Sequence, residues 1–244
     1  MIKSNNKFLI PLEDNSVLWR YMNLDKFEYL INKKLLFFCR ADLFDDKFEG
    51  SIPKKEFEFR KRKSKSSQEG FTYMHKEYRR SSVVNCWYIG DSESNLMWAS
   101  YSKGKGIAIK TKKEKLYESL KKSKENIWPS KVRYIDYDKD SWFGNDYPYS
   151  LNFIAPLIHK KNEYKDENEF RLIIHKEEII HNPDYWEKQP NNKGILVNID
   201  ISKLIDKVIL SPDINIDNKN KVLKLAKLVG FEVEDSKLSS SPLF

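Results

Sequence analysis

Short apolar runs separated by polar punctuation, with no sustained repeat, run along this chain. Val17 to Tyr21 (VLWRY) predicts a strand, and Asn23 is placed to cap a short helix from Leu24 to about Lys33 that carries Phe27, Leu30 and Ile31 on one face. Leu35 to Cys39 predicts a second, buried strand. The acidic stretch Arg40 to Gly50 has no period and predicts a loop. Pro53 suits the first turn of a charged helix that breaks at a Ser/Gly stretch before a second helical piece, the pair filling about 53–82 as a basic, mobile insertion. Further strands are predicted at Val83 to Tyr88, Gly104 to Thr111, Lys131 to Tyr137, Glu169 to His175, Ile195 to Ile199, Lys207 to Leu210 and Phe231 to Glu234. Helices are predicted at Glu93 to Tyr101, Lys113 to Lys122 and Asp217 to Val229, the last closed by Gly230, with a helical or extended piece at Leu151 to His159. About eight strands and six helices in no βαβ rhythm predict an α+β fold of mixed, mainly antiparallel sheets with packed helices, in one domain over 1–244.

Composition agrees with a packed core: 40% of the 244 residues are hydrophobic and 14% aromatic. The apolar run Phe8 to Ile10 is too short for a signal segment and no stretch approaches a membrane span, so a cytoplasmic location is expected. Cys39 and Cys86 both lie in apolar surroundings and read as buried structural thiols. The four histidines lack paired ligand spacing, which argues against structural zinc. The net charge of +8 is uneven: residues 51–80 carry +6 and residues 101–133 carry +8, so the rest of the chain is acidic. Those two segments are the expected contacts for a nucleic-acid partner, because clustered Lys and Arg neutralise phosphates; a merely solvated face is the plain alternative.

Several stretches taken in order resemble the domain-of-unknown-function family 2971, a group of mostly bacterial proteins. They are LWRYM at Leu18 to Met22, LLFFCRADLFDDKFEG, NCWYIGDSESNLMW at Asn85 to Trp98, GKGIAIKT, HKKNEYKDENEFRLI at His159 to Ile173, GILVNIDISKLIDKVILSP at Gly194 to Pro212 and VEDSKLSSSPLF. This chain departs from the family pattern in having Arg20 where relatives carry His or Lys, and Glu234-Asp235 where they carry a basic pair. A basic residue on the first strand, an aromatic beside it, a helix, a second strand and a late Glu-x-Glu are together similar to the ADP-ribosyltransferase superfamily. That resemblance implies NAD as co-substrate, Arg20 and Tyr21 as nucleotide contacts, Glu169 as catalytic carboxylate and Glu167 as the group that orients the acceptor. It implies a macromolecular target and suits a bacterial toxin or antiviral defence enzyme. Chemically, a fixed carboxylate stabilises the oxocarbenium-like centre of glycosidic cleavage, an Arg fork suits pyrophosphate, and Trp98, Tyr101 or Tyr21 could stack on nicotinamide. Arg20, Glu93, Glu167, Glu169 and Arg171 complete the expected polar site.

Glu167, Glu169 and Arg171 also fit a structural ion-pair ladder along one strand face. A rival enzyme reading is an Mg²⁺-dependent nuclease using Asp42, Asp45, Asp46 and Glu49 with Glu93 and Glu169. A third is a non-catalytic module that binds nucleic acid, with aromatic rings as stacking platforms. Trp19, Trp87 and Trp98 read as core residues, and Trp142, in the polar loop DKDSWFGNDYP, as the exposed ring on a flap.

Overall fold

The computed structural model describes residues 1–46, 48–102, 105–143 and 152–239. Strand β1 (Val17–Met22) leads through helix α1 (Leu24–Lys33) to β2 (Leu35–Arg40), followed by α2 (Lys54–Lys63), α3 (Lys65–Arg80) and β3 (Ser82–Ile89). A single turn, α4 (Asn95–Met97), widens into a π turn over Trp98–Ser102. Next come β4 (Ile107–Lys112), α5 (Lys113–Ser119), β5 (Trp128–Lys131), β6 (Arg133–Ile135), β7 (His159–Lys161) and β8 (Glu169–His175). The chain continues with α6 (Glu177–Ile180), β9 (Gly194–Asn198), α7 (Ile201–Leu204), β10 (Lys207–Leu210), α8 (Ile216–Val229) and β11 (Glu232–Asp235).

This is an α+β fold built on one large, mainly antiparallel open sheet. Its path runs β11-β10-β4-β1-β3-β2-β9, and a branch through β8 to β5 leaves from β3. Among the described residues, the parallel strand pairs are β10–β11 in this sheet and the separate β6–β7. Alternation along the strands decides what each face does. Leu18, Leu36, Phe38, Trp87, Phe170, Leu172 and Ile109 point to one face, where Phe27 and Ile31 of α1, Leu116 of α5 and Val222 of α8 cover them. The opposite face carries two smaller apolar clusters. One joins Trp19, Tyr21, Met97 and Trp98; the other joins Val84 and Ile173 to Ile154, Leu157 and Ile158.

The branch arises because β3 has three neighbours. One of its edges is paired with β8 throughout, from Ser82↔His175 to Tyr88↔Glu169. The other is shared by β2 at Val83 and Val84 and by β1 at Tyr88 and Ile89, so among the described residues no strand pairs with residues 85–87 on that edge. Side chains occupy the gap. Nη1 of Arg20 donates to the Cys86 carbonyl at 2.5 Å, and Nδ2 of Asn85 donates to the Phe37 carbonyl at 2.8 Å, satisfying backbone acceptors that a ladder would otherwise serve.

Local signals explain the best-defined elements. Oδ1 of Asn23 accepts from the Lys26 amide, and Gly230 closes α8 at φ 90°. Gly106 is required at the entry to β4, because a Cβ there would lie 2.0 Å from the Met22 carbonyl oxygen. Other boundaries moved. The break in the charged segment falls at Ser64, whose hydroxyl caps α3, and Gly70 lies inside that helix. The stretch expected as one strand from Lys131 to Tyr137 divides into the end of β5 and the short β6, which belong to different sheets.

Candidate functional site

On the face that carries Trp19 and Val84, Cys86 and Arg171 are paired across β3–β8, and Glu169 is opposite Tyr88. Tyr88 packs on one of the two apolar clusters and Cys86 on the other, so Glu169 and Arg171 emerge where the clusters meet. Arg171 is fully buried. Its Nε donates to Oε2 of Glu169 at 2.9 Å and its Nη2 to Oε1 at 3.0 Å, while Nη1 donates to the Leu157 carbonyl at 2.9 Å and Nη2 also bonds Glu49. Lys160, on β7, adds a second cation: its Nζ lies 2.9 Å from Glu169, 2.6 Å from Glu167 and 3.3 Å from Glu49. Three carboxylates therefore share two cations in a nearly dry setting.

Asn168 brings Glu167 into the network. The strand begins only at Glu169, so simple alternation does not place the two glutamates together. Glu167 instead ends a 3-10 turn, and Asn168 follows at φ 35°, a left-handed conformation that asparagine tolerates better than most residues. The Asn168 side chain donates to the Ile89 carbonyl at 2.8 Å, and its carbonyl accepts from the Ile89 amide at 2.8 Å, fastening this bend to the end of β3. The Glu169 amide in turn donates to the Tyr134 hydroxyl at 2.9 Å.

The two glutamates are driven in opposite directions. Burial raises the proton affinity of Glu167 by more than the hydrogen bond from Lys160 lowers it, and the nearby Glu169 adds to the rise, leaving its pKa up at about 7. Burial also disfavours charge on Glu169, but Arg171 and Lys160 overcome it and hold the carboxyl well below the usual range. Burial likewise opposes charge on Lys160, and Glu169 and Glu49 overcome that, keeping the ammonium protonated. Tyr101, half exposed on the π turn, lies within the field of Glu167, Glu169 and Lys160; burial of its hydroxyl end raises its pKa, and the two glutamates add to this.

The remaining expected site residues take other positions. Arg20 lies in the gap of the sheet, its guanidinium 5.8 Å from the Trp87 ring centroid. Tyr21, its neighbour, is on the opposite face of β1, buried against Trp98 at 4.8 Å with its hydroxyl accepting from the Ser94 amide. Trp98 is buried as well, and its Nε1 donates to Glu93. Glu93 also accepts from the Ser236 hydroxyl and the Lys237 amide, so it anchors the C-terminal segment. Tyr21, Trp98 and Glu93 thus form a packed unit beside the ionic network.

The acidic loop does not converge on a cation position. Asp42 is clamped by Arg40 at 2.7 and 3.0 Å, Asp45 is exposed, Asp46 accepts from the Phe48 amide, and Glu49 joins Arg171 and Lys160. Among the described residues, no group of three or more His, Cys, Asp or Glu side chains could hold a metal ion. Trp142 departs from expectation: only 1% of it is exposed, and its ring lies 5.4 Å from His75 and 6.1 Å from His159. Its local sequence is polar, but Glu56 accepts from its backbone amide and from the Ser141 hydroxyl, turning the indole inward. The remainder of the expected flap, 144–151, lies outside the described residues.

Sequence reasoning missed Lys160. It lies in a three-residue strand with no period of its own, inside the uniformly polar stretch HKKNEYKDENE, where nothing sets it apart from Lys161 or Lys165. Residues 97–172 match a family described as "Protein of unknown function (DUF2971)". The chain resembles that family over this stretch. The matched stretch contains Tyr101, Lys160, Glu167, Glu169 and Arg171; the expected N-terminal stretches, with Arg20 and Glu49, fall outside it. No curated protein and no solved structure matches. Among the described residues, no helix is long and apolar enough to cross a membrane.

Proposed function

We propose that this protein transfers a glycosyl group, cleaving the nicotinamide–ribose bond of NAD and passing ADP-ribose to a macromolecular acceptor, in the manner of an ADP-ribosyltransferase. One observation carries the reading. Two carboxylates two residues apart share Lys160 yet have opposed proton affinities, the arrangement by which acid–base and electrostatic roles are divided between two acids. In this reading Glu169, fixed by Arg171, stays ionised and stabilises positive charge developing at the ribose. Glu167 titrates near neutrality and takes the proton from the acceptor. The carbon–nitrogen bond breaks with its electron pair going to the nicotinamide ring, which leaves neutral. The acceptor's oxygen or nitrogen forms the new bond to the same ribose carbon as its proton passes to Glu167. Tyr101, at the open side of the network, is the ring offered to the nicotinamide. Arg20 lies in the gap of the sheet, on the opposite side of β1 from Tyr21, and braces the strand that carries Cys86; in this reading its guanidinium charge acts through that gap to favour a bound pyrophosphate.

The test is mass spectrometry of NAD and of modified protein and nucleic acid, with cell extract as the source of acceptors. Wild type should consume NAD, and Glu167→Gln should lower turnover by about 100-fold or more, the usual size of a general acid–base contribution. Absence of turnover in wild type, or turnover indifferent to both Glu167→Gln and Glu169→Gln, would sink the reading. The ionic network would then stand as a purely structural clamp, a role favoured by the number of donors that already engage Glu169.

A further inference from the structure

The interior of the α2–α3 pair holds charge that the glycosyl-transfer reading does not use. Glu56 and Arg60 lie one helical turn apart on α2, His75 is on α3, and Trp142 completes the group; none of the four is more than 4% exposed. Nη2 of Arg60 donates to Nε2 of His75 at 2.8 Å, the His75 ring lies 5.4 Å from that of Trp142, and Oε1 of Glu56 accepts from the Trp142 amide at 2.9 Å. The contacts thus run in a closed ring. Four buried polar atoms of this ring have no hydrogen-bond partner: Nε and Nη1 of Arg60, Nδ1 of His75 and Oε2 of Glu56. A guanidinium only donates, so Nε2 of His75 accepts and the imidazole proton is on Nδ1. Unmet donors on two side chains therefore surround one unmet carboxylate oxygen.

Arg60 carries the argument. Arg171, equally enclosed, holds two carboxylates, whereas among the described residues no ion pair reaches Arg60. Burial lowers its pKa to about 10 against the pull of Glu56, so the guanidinium is charged at neutral pH, and a buried charge is ordinarily paired. The Phe71 ring covers its face at 4.8 Å, which leaves the N–H edge as the side for an anion. We infer that Arg60, His75 and Glu56 line an interior site for a small oxyanion that keeps a hydroxyl, inorganic hydrogen phosphate being the simplest. Its bare oxygens accept from Arg60 and from Nδ1 of His75, and its P–OH donates to Oε2 of Glu56. Enclosure restricts the guest to that size. The need for acceptors and a donor on one anion selects phosphate over sulfate, which has no proton to give at neutral pH. Water would meet the hydrogen bonds but brings no charge to Arg60. The inference does not depend on the glycosyl-transfer reading.

Isothermal titration calorimetry of the full chain at constant ionic strength and neutral pH, with inorganic phosphate and with sulfate, tests it. Wild type should bind phosphate, and sulfate about 5- to 150-fold more weakly, the usual cost of leaving one buried acceptor unmet. Arg60→Met should abolish phosphate binding. Glu56→Gln keeps an oxygen for the Trp142 amide but turns a donor toward the guest, so it should reverse the preference in favour of sulfate. That variant tests the site even where Arg60→Met fails to fold, and a thermal melt checks each. Arg20→Gln should bind phosphate as wild type does, which separates this site from the proposed pyrophosphate contact. No binding by wild type, equal affinity for the two anions, or a preference unchanged in Glu56→Gln would each overturn the inference.

Discussion

Arg171 and Glu167 illustrate how two charged residues in one network carry different energetic roles. Arg171 is enclosed and holds both Glu169 and Glu49, so removing it leaves two buried carboxylates to Lys160 alone. We expect Arg171→Met to cost about 3–5 kcal/mol in urea unfolding, the range for breaking a buried ion pair from one side. Adding Glu49→Gln should recover part of that loss. Glu167 has the opposite sign. The folded state binds its proton more tightly than the unfolded chain, so its contribution is present at acid pH and is lost as pH rises through about 7. Glu167→Gln should therefore flatten the stability profile between about pH 4.5 and 7, and should be more stable than wild type at pH 8, read as a higher melting temperature. A variant no more stable at pH 8 would show that its proton affinity is ordinary.

At the scale of elements, the bend between the 3-10 turn and β8 sets the geometry of the site. Asn168→Ala should cost about 1–2 kcal/mol for the left-handed backbone alone, while Asn168→Gly should cost less, because glycine accepts that conformation. Gly106→Ala should be worse than either, since its Cβ would collide with the backbone of β1 rather than with a movable side chain; soluble yield and circular dichroism report it. Elements with local signals were legible in the sequence. β8 spans the expected residues, α1 begins at its predicted cap, and α8 ends at its predicted glycine. What was not legible depends on distant partners. Lys160 and Glu49 meet Glu169 only because β7 and the loop before α2 fold back over β8. Trp142 looked exposed because its buried surroundings, His75 and His159, are far away in sequence. Among the expected site residues, Glu167, Glu169, Arg171 and Tyr101 come together, whereas Tyr21, Trp98 and Glu93 gather in the adjoining packed unit.

For the whole molecule, buried His75 and His159 and half-buried His175 set the acid limit. Burial lowers His75 to a pKa of about 3, with Arg60 adding to the effect, and lowers His159 and His175 to about 4. Each stays neutral in the folded state while the unfolded chain protonates near pH 6.5, so stability should fall as pH drops from about 6.5 to 4. The slope approaches roughly 1.4 kcal/mol per pH unit for each histidine over the range where the two states differ by a full proton. Equilibrium unfolding at stepped pH measures it, and a flat profile over that range would contradict the burial of these rings. The sheet itself has a further consequence. Where β3 passes from β2 to β1, its edge is fastened by the Arg20 and Asn85 side chains in place of strand-to-strand rungs. With the other edge of these three residues still laddered to β8, this one edge is expected to part before the strand-paired stretches on either side of it, like a seam held by two stitches.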